Sequence, residues 1–244
     1  INMKFFHHLL IALFLFSSNF FAQSDNEDYT LEEIIVTAQK TEKSLQDVPI
    51  AVSALSADDL ALRQAVRFTD LQLNVPNLSY SETNFGGSSV SIRGIGRLAT
   101  GISFDQSVTT HINESPWGEN TNVATMFDMD RVEVLRGPQG TLFGRGTTAG
   151  LVNLVTKRPS VDSGVEGYAG FTTGEYDLQV FEGAVNIPLD DNFAVRAAYT
   201  QTERDGFTEN LYAPVGGTFY GREHYVGRIS LRYDTGNTVI DYMY

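Results

Sequence analysis

Strict alternation of apolar and polar side chains in the last third of the chain is the strongest constraint on its fold. The clearest segment places four apolar residues on one face of a strand, namely Phe193, Val195, Ala197 and Tyr199. Arg196 and Thr200 lie on the opposite face, and the same period of two recurs in residues 181–189 and 225–233. Because successive side chains of a strand point to opposite faces, this pattern predicts antiparallel strands with one apolar face.

The lengths of the strands and their connections favour a membrane barrel. The alternation predicts strands at residues 165–173, 178–189, 193–204, 223–234 and 238–244. The second and fourth connections are short, whereas the third is long, as in barrels with short turns on one side of the membrane and long loops on the other. A water-soluble β-sandwich alternates in the same way, so alternation alone does not exclude it. The chain ends within the fifth segment, so we expect an incomplete barrel.

The N-terminus indicates export. Met3 and Lys4 precede an apolar run at residues 9–16, and small residues follow it. This run is shorter than the roughly 20 residues that a membrane-spanning helix needs, so residues 1–24 are predicted to be a signal peptide. The chain has no cysteine, which excludes disulfides and thiolate metal sites.

Charge and composition exclude several function classes. With 30 acidic and 17 basic side chains, the formal net charge is −13, which argues against nucleic acid as a partner. Two of the four histidines lie in the predicted signal peptide, so a metal site is not expected. The sequence offers no combination of nucleophile, base and orienting residue, so we predict no catalytic residues, no cofactor and no enzymatic activity.

Residues 25–43 are predicted to be a flexible leader that contains one short β-prone run. The run consists of Glu33, Ile34, Ile35, Val36, Thr37 and Ala38, between an acidic stretch and a charged one. An apolar strand without a neighbouring strand exposes backbone groups with which a partner strand can pair. Alternatively, the run is the first strand of the domain that follows, and spacing alone leaves both interpretations open.

Residues 44–160 have the pattern of a small α+β domain. Ser56 precedes two acidic residues and an apolar stretch, as at a capped helix N-terminus. A second short helix is predicted at residues 68–75 and a strand at residues 90–93. Five glycines lie between Gly137 and Gly150, which permits tight turns and close backbone approach. Phosphate-loop spacing is absent.

Several motifs of this region resemble a known family. In order, they are EIIVTA, DVPIAVSAL, SIRGIG, DRVEVLRGPQGTLFGR and LVNLVTK. Together they resemble the plug domain of TonB-dependent outer-membrane receptors, over about residues 31–160, and the LRGPQGTLFG run is highly specific. The resemblance implies an α+β plug domain at residues 44–160. It also implies that residues 161–244 are the first strands, about five, of an incomplete transmembrane β-barrel of the plugged class with about 22 strands.

The resemblance also implies a function and a set of site residues. Residues 33–38 would be the TonB box, which the inner-membrane TonB protein captures. Arg93 and Arg136 would pair with carboxylates on the inner barrel wall. Candidate ligand contacts at the apex of the plug are Tyr80, Phe85, His111 and Trp117. For His111 and Trp117 we favour the simpler interpretation of a satisfied polar residue and a packed aromatic one.

The implied activity is TonB-dependent active transport of a scarce, large ligand across the bacterial outer membrane. A ferric siderophore or another iron complex is the expected cargo, and outer-membrane lipid and TonB are the expected partners. A passive outer-membrane pore or an adhesion barrel is the alternative. One segment departs from the family pattern, because residues 110–118 lack the usual Asp-Gly pair, so we expect a turn other than type I′ there.

Overall fold

The computed structural model describes residues 34–37, 40–41, 43–82, 88–96, 106–117, 126–211 and 217–244. The compact unit that it describes runs from Ile34 to Tyr244. The predicted signal peptide, most of the predicted leader, and the candidate residues Glu33, Ala38 and Phe85 lie outside the described residues.

The N-terminal region combines short strands with short helices. Its strands are β1 (Ile35–Val36), β2 (Lys43–Ser44), β3 (Ala51–Ser56), β4 (Leu78–Glu82), β5 (Ser88–Ile92), β6 (Ile95–Gly96), β7 (Val108–Ile112), β8 (Ser115–Pro116), β9 (Met129–Arg136) and β10 (Gly150–Thr156). Its helices are α1 (Ala57–Leu62), α2 (Leu71–Asn74) and α3 (Gly140–Phe143), with 3₁₀ turns at Leu45–Asp47 and Phe68–Asp70. In the described ranges, no helix is both long and apolar enough to cross a membrane.

Five of these strands form one sheet, which we call the mixed sheet. Its order is β3-β9-β10-β7-β8, with β7 and β10 parallel and the other neighbours antiparallel. One face carries the main core, in which α1, the 3₁₀ turn and α2 contribute Leu60, Phe68 and Leu71. The other face carries Leu135 and Leu151, and a second apolar cluster covers it. Helices packed on a sheet confirm the predicted α+β class.

Local sequence signals account for the helix that follows β3. The Ser56 hydroxyl accepts a hydrogen bond from the Asp59 amide at 3.2 Å, and the Asp59 carboxylate accepts one from the Ser56 amide at 3.4 Å. This reciprocal pair is a capping box, which satisfies donors that the first helical turn leaves unpaired. Leu60, one residue further, is then buried in the main core.

Gly150 shows why the glycine-rich stretch before β10 excludes side chains. Its φ is +149°, and a β-carbon there would lie 2.1 Å from the Leu135 carbonyl oxygen and 2.8 Å from Ile92 Cδ1. The antiparallel pairing of β10 with β9 therefore begins at a residue that only glycine accommodates. The predicted close approach of backbones is confirmed at this position.

The turn between β7 and β8 contradicts our expectation. Asn113 and Glu114 both have positive φ, +48° and +67°, which is the signature of a type I′ turn. Asn tolerates this conformation. The Glu114 conformation is supported from both sides, because its amide donates to Asn153 Oδ1 at 3.0 Å and its carbonyl oxygen lies 3.1 Å from His111 Nδ1. Tertiary hydrogen bonds thus replace the missing glycine.

The C-terminal strands form a second sheet, which we call the meander sheet. It contains β11 (Glu166–Gly174), β12 (Leu178–Pro188), β13 (Phe193–Arg204), β16 (Arg222–Asp234) and β17 (Val239–Met243), paired antiparallel in chain order. A small hairpin, β14 (Thr208–Glu209) and β15 (Thr218–Phe219), occupies the long connection. Each predicted strand is confirmed to within one residue at either end.

The faces of the meander sheet are also as predicted. Arg196 and Thr200 are buried towards the N-terminal region, whereas the neighbouring Tyr199 is 39% exposed on the other face. The outward face carries exposed apolar side chains, including Phe181, Ile229 and Tyr233. A sheet with an apolar outer face and a polar inner face that packs on a separate domain fits one wall of a plugged barrel.

Candidate functional site

Residues 34–37, which we call the N-terminal segment, are docked on the mixed sheet. Ile35 and Val36 pair antiparallel with Ser44 and Lys43. Val36 is fully buried and packs against Leu135 and Leu151. The expectation of a strand without a neighbouring strand is therefore wrong for these residues, because the chain turns back after Thr37 and β2 covers one edge of the segment.

Thr37 ties the segment to a buried carboxylate. The Thr37 amide donates to Glu133 Oε1 at 2.8 Å, and the Thr37 hydroxyl lies 3.2 Å and 3.4 Å from the two Glu133 oxygens. The Glu133 side chain has no solvent exposure, and Arg131 Nε donates to the same Oε1 at 2.8 Å. Among the described residues, Arg131 is the one counter-charge of Glu133. A buried carboxylate in this situation depends on neutral donors such as those of Thr37.

Glu133 belongs to a row of buried polar side chains across the mixed sheet. It pairs with Asn153 in the register, and Asn153 pairs with His111. Asn153 Nδ2 donates to Glu133 Oε2 at 3.4 Å. Asn153 Oδ1 accepts from the amide of Glu114, whose carbonyl oxygen contacts His111. A hydrogen-bonded row thus connects the N-terminal segment with the β7–β8 turn.

A second polar cluster joins the N-terminal region to the meander sheet. The Asp128 carboxylate, just before β9, forms ion pairs with Arg196 on β13 and Arg228 on β16. Arg196 Nε and Arg228 Nη2 each donate to Asp128 Oδ2 at 2.9 Å, and Arg196 Nη2 donates to Oδ1. Arg228 Nη2 also reaches the Asp128 carbonyl oxygen at 2.9 Å. The Asp128 side chain is fully buried.

Phe127 complements these ion pairs with apolar contact. It packs against Ala184 and Ala198 on the inward face of the meander sheet, and the Arg228 guanidinium lies 4.8 Å from its ring centroid. The small alanine side chains leave room for the ring, and a cation over an aromatic face adds attraction. We call Phe127, Asp128, Arg196 and Arg228 the anchor, since together they fix the start of β9 to the sheet.

The anchor has the opposite polarity to the plug-to-wall contact that the family resemblance implies. In the implied contact, arginines of the plug pair with carboxylates of the wall. In the anchor, the carboxylate of Asp128 in the plug pairs with two arginines of the wall. Arg93 lies in a turn, with φ of +55° and an exposed side chain. Arg136 ends β9, and its buried Nε has no hydrogen-bond partner among the described residues. Their pairing with wall carboxylates stays a prediction.

The candidate ligand contacts are spread over the N-terminal region. His111 is buried, with Nε2 lying 3.0 Å from Thr109 Oγ1 and the ring edge-on to Phe143. Tyr80 packs partly buried against Phe68, and Trp117 is 46% exposed. Tyr80 on β4 and His111 on β7 belong to different sheets, whereas Trp117 lies beside β7, where its amide donates to the Thr110 carbonyl oxygen. Within the described ranges, no cluster of side chains has the composition of a metal site.

Reasoning from the sequence missed Asp128 and Glu133 as site residues. The sequence contained a signal for the anchor. Arg196 and Arg228 lie at inward-facing positions of two strands whose side chains alternate, and buried arginines require acidic partners. For Glu133 the signal was a charged residue among valines and leucines in a strand buried on both faces, as the run from Arg131 to Leu135 shows.

Comparisons with known proteins agree with this architecture. The model of the family described as TonB-dependent Receptor Plug Domain matches residues 44–151. The iron-regulated outer membrane virulence protein of Vibrio cholerae is 30% identical over 202 residues, which are 78% of this chain and 30% of that protein. The pesticin receptor of Yersinia pestis is 29% identical over 149 residues, which are 60% of this chain and 21% of that receptor.

Solved structures share the fold. The ferric yersiniabactin uptake receptor from Yersinia pestis superposes with a TM-score of 0.71 at 24% identity, covering 80% of this chain and 30% of that one. The pyoverdine outer membrane receptor from Pseudomonas aeruginosa gives 0.70 at 19% identity, covering 86% and 29%. The chain thus spans about a third or less of the relatives that it matches. Residues 44–151 therefore form a TonB-dependent receptor plug domain, and together with the wall strands that follow they share the fold of bacterial outer-membrane receptors.

Proposed function

We propose that this chain is the plug-bearing part of an active transporter that takes up a ferric siderophore or another iron complex across the outer membrane, driven by TonB. The observation that carries the proposal is the position of the N-terminal segment. It is docked by short strand pairing and one buried carboxylate on the sheet of a plug that the anchor fixes to the wall. The names of the relatives, which include an iron-regulated protein and a hemin receptor, support an iron-containing cargo.

In the proposed mechanism, ligand binds at the apex of the plug and at extracellular loops, and TonB pairs with residues 33–38 as an added strand. Work drawn from the inner-membrane proton gradient then displaces part of the plug and opens a path along the wall. Binding energy and mechanical work account for this cycle, and no covalent step is required. Its energy dependence distinguishes it from a passive pore.

An Ile35→Pro substitution tests the energy coupling. Alternate residues of a strand direct their backbone groups to opposite edges. Since Leu45 donates to the Ile34 carbonyl oxygen, the Ile35 amide points away from β2, towards the edge that a partner would use. Proline removes this donor, so we expect uptake of radiolabelled ferric complex to be lost from cells that express the complete gene, while binding of the complex to those cells persists.

Ile35→Ala is the matched control, because it keeps the amide and shortens the same half-exposed side chain. Its uptake should stay close to that of the parent. Normal uptake by Ile35→Pro, at equal protein levels, would refute the assignment of residues 33–38. If the parent's uptake also continues after a protonophore collapses the proton gradient, the protein is a passive pore.

A further inference from the structure

The edge of the N-terminal segment that does not face β2 already makes a hydrogen bond within the plug. β2 occupies one edge, where Leu45 donates to the Ile34 carbonyl oxygen at 2.9 Å. By strand alternation, the amides of Ile35 and Thr37 then point to the opposite edge. On that edge, the Thr37 amide donates to Glu133 Oε1 at 2.8 Å. The Glu133 carboxylate therefore stands where a carbonyl oxygen of an added strand would accept.

We infer that Glu133 is a gate for strand addition, which holds the N-terminal segment in its docked position and must release Thr37 before a partner strand can extend past Ile35. This inference rests on the proposed function, since it concerns how the same segment is made available. Glu133 does not contact the partner in this scheme. It is a positioning residue, which acts through the Thr37 amide and hydroxyl.

The surroundings of Glu133 suit such a gate. Its carboxylate stays in place without Thr37, because Arg131 and Asn153 also donate to it, at 2.8 Å and 3.4 Å. Arg131 is in turn held by Asp130 at 2.5 Å. Release of Thr37 therefore removes some donors from a buried carboxylate but leaves its counter-charge, so opening costs less than breaking the ion pair would.

The state of the gate can be read from one introduced cysteine, because none of the 244 residues is a cysteine and any cysteine elsewhere in the complete protein is replaced by serine. Val36→Cys, at a position that is fully buried while the segment is docked, is placed in the complete protein, which is reconstituted in lipid nanodiscs without ligand. Because a buried thiol is shielded from a charged maleimide, the rate of their reaction reports how often the segment is undocked. In this background, Glu133→Gln should raise the rate about ten- to a hundredfold, the range expected for loss of hydrogen bonds to a charged group.

Thr37→Val is the second variant, and it covers the case in which Glu133→Gln fails to fold. It removes only the hydroxyl and leaves Glu133, Arg131 and the amide contact intact, so we expect a smaller increase of several-fold. Asp130→Asn is the matched control, because it removes a carboxylate from the same strand and from Arg131 without touching Thr37. Its rate should match that of the parent.

Equal labelling of all variants and the parent would overturn the gate, as would an increase in Asp130→Asn as large as that in Glu133→Gln. A separate measurement tests the underlying function. The purified periplasmic domain of TonB should be captured more strongly by Glu133→Gln nanodiscs than by the parent. Faster labelling without any TonB capture leaves the gate standing and refutes the TonB assignment, whereas TonB capture with unchanged labelling refutes the gate alone.

Discussion

Asp128 and Glu133 are two buried carboxylates that lie close together in the sequence but make contacts with different parts of the molecule. Asp128 faces the wall, where two arginines meet it, and Glu133 faces the N-terminal segment, where Thr37 meets it. Because both contacts are buried, their net contribution to stability differs from the cost of losing one partner. A buried pair adds little net stability over an apolar substitute, but removal of one partner leaves an uncompensated charge.

The anchor gives a prediction at this scale. Asp128→Asn keeps the size of the side chain and tolerates the positive φ of this position, +50°, but leaves Arg196 and Arg228 without a counter-charge. We expect attachment of the plug to weaken by about 3–5 kcal/mol. In the complete protein, this should appear as faster amide hydrogen exchange in β9 and as increased entry of a large antibiotic across the outer membrane.

Asp130→Asn again provides the comparison. Its carboxylate is 48% exposed and pairs with Arg131, so its loss should cost about 0–1 kcal/mol. If both variants exchange and leak to the same extent as the parent, the anchor does not hold the plug.

At the scale of elements, sequence reasoning worked where a single periodicity controls the structure. The strands of the meander sheet followed from alternation because lipid on one side and plug on the other impose a period of two along each strand. It failed where contacts between distant segments decide. The β7–β8 turn depends on Asn153, 39 residues from Glu114, and the docking of Thr37 depends on Glu133, 96 residues away. Neither contact leaves a local signal in the sequence.

Gly150 gives a prediction at the element scale. Alanine there would place a β-carbon against the Leu135 carbonyl oxygen in a backbone conformation that L-residues rarely adopt. Strain and overpacking each cost about 1–3 kcal/mol, so Gly150→Ala should separate the start of β10 from β9 and lower the unfolding temperature of the plug. Differential scanning calorimetry of the complete protein would measure the change.

Gly140→Ala serves as the opposite case. Gly140 opens α3, and a β-carbon there meets nothing within 4 Å. Alanine should leave stability unchanged or raise it by about 0.4–1 kcal/mol, through the lower entropy of the unfolded chain. A similar loss in both variants would show that the close contact at Gly150 is not the cause.

On the scale of the whole molecule, the meander sheet depends on more wall than the described strands provide. Its end strands, β11 and β17, each have one neighbour in the described sheet, and a strand edge cannot be left unpaired in lipid. Residues 161–244 expressed alone should therefore not insert as a stable barrel. Heat-modifiable migration in gel electrophoresis reports folded barrels, and a heat-sensitive band from this piece alone would contradict the expectation.

The anchor finally bears on the order in which the molecule is built. Arg196 and Arg228 follow Asp128 by 68 and 100 residues along the chain, so all the charges of the anchor are present as soon as β16 has joined the growing wall. Closing a loop of this length is entropically modest. We therefore expect the plug to be fastened early in biogenesis. Strands that join the wall later would then close around a plug that is already attached, so the plug would not have to enter a closed barrel.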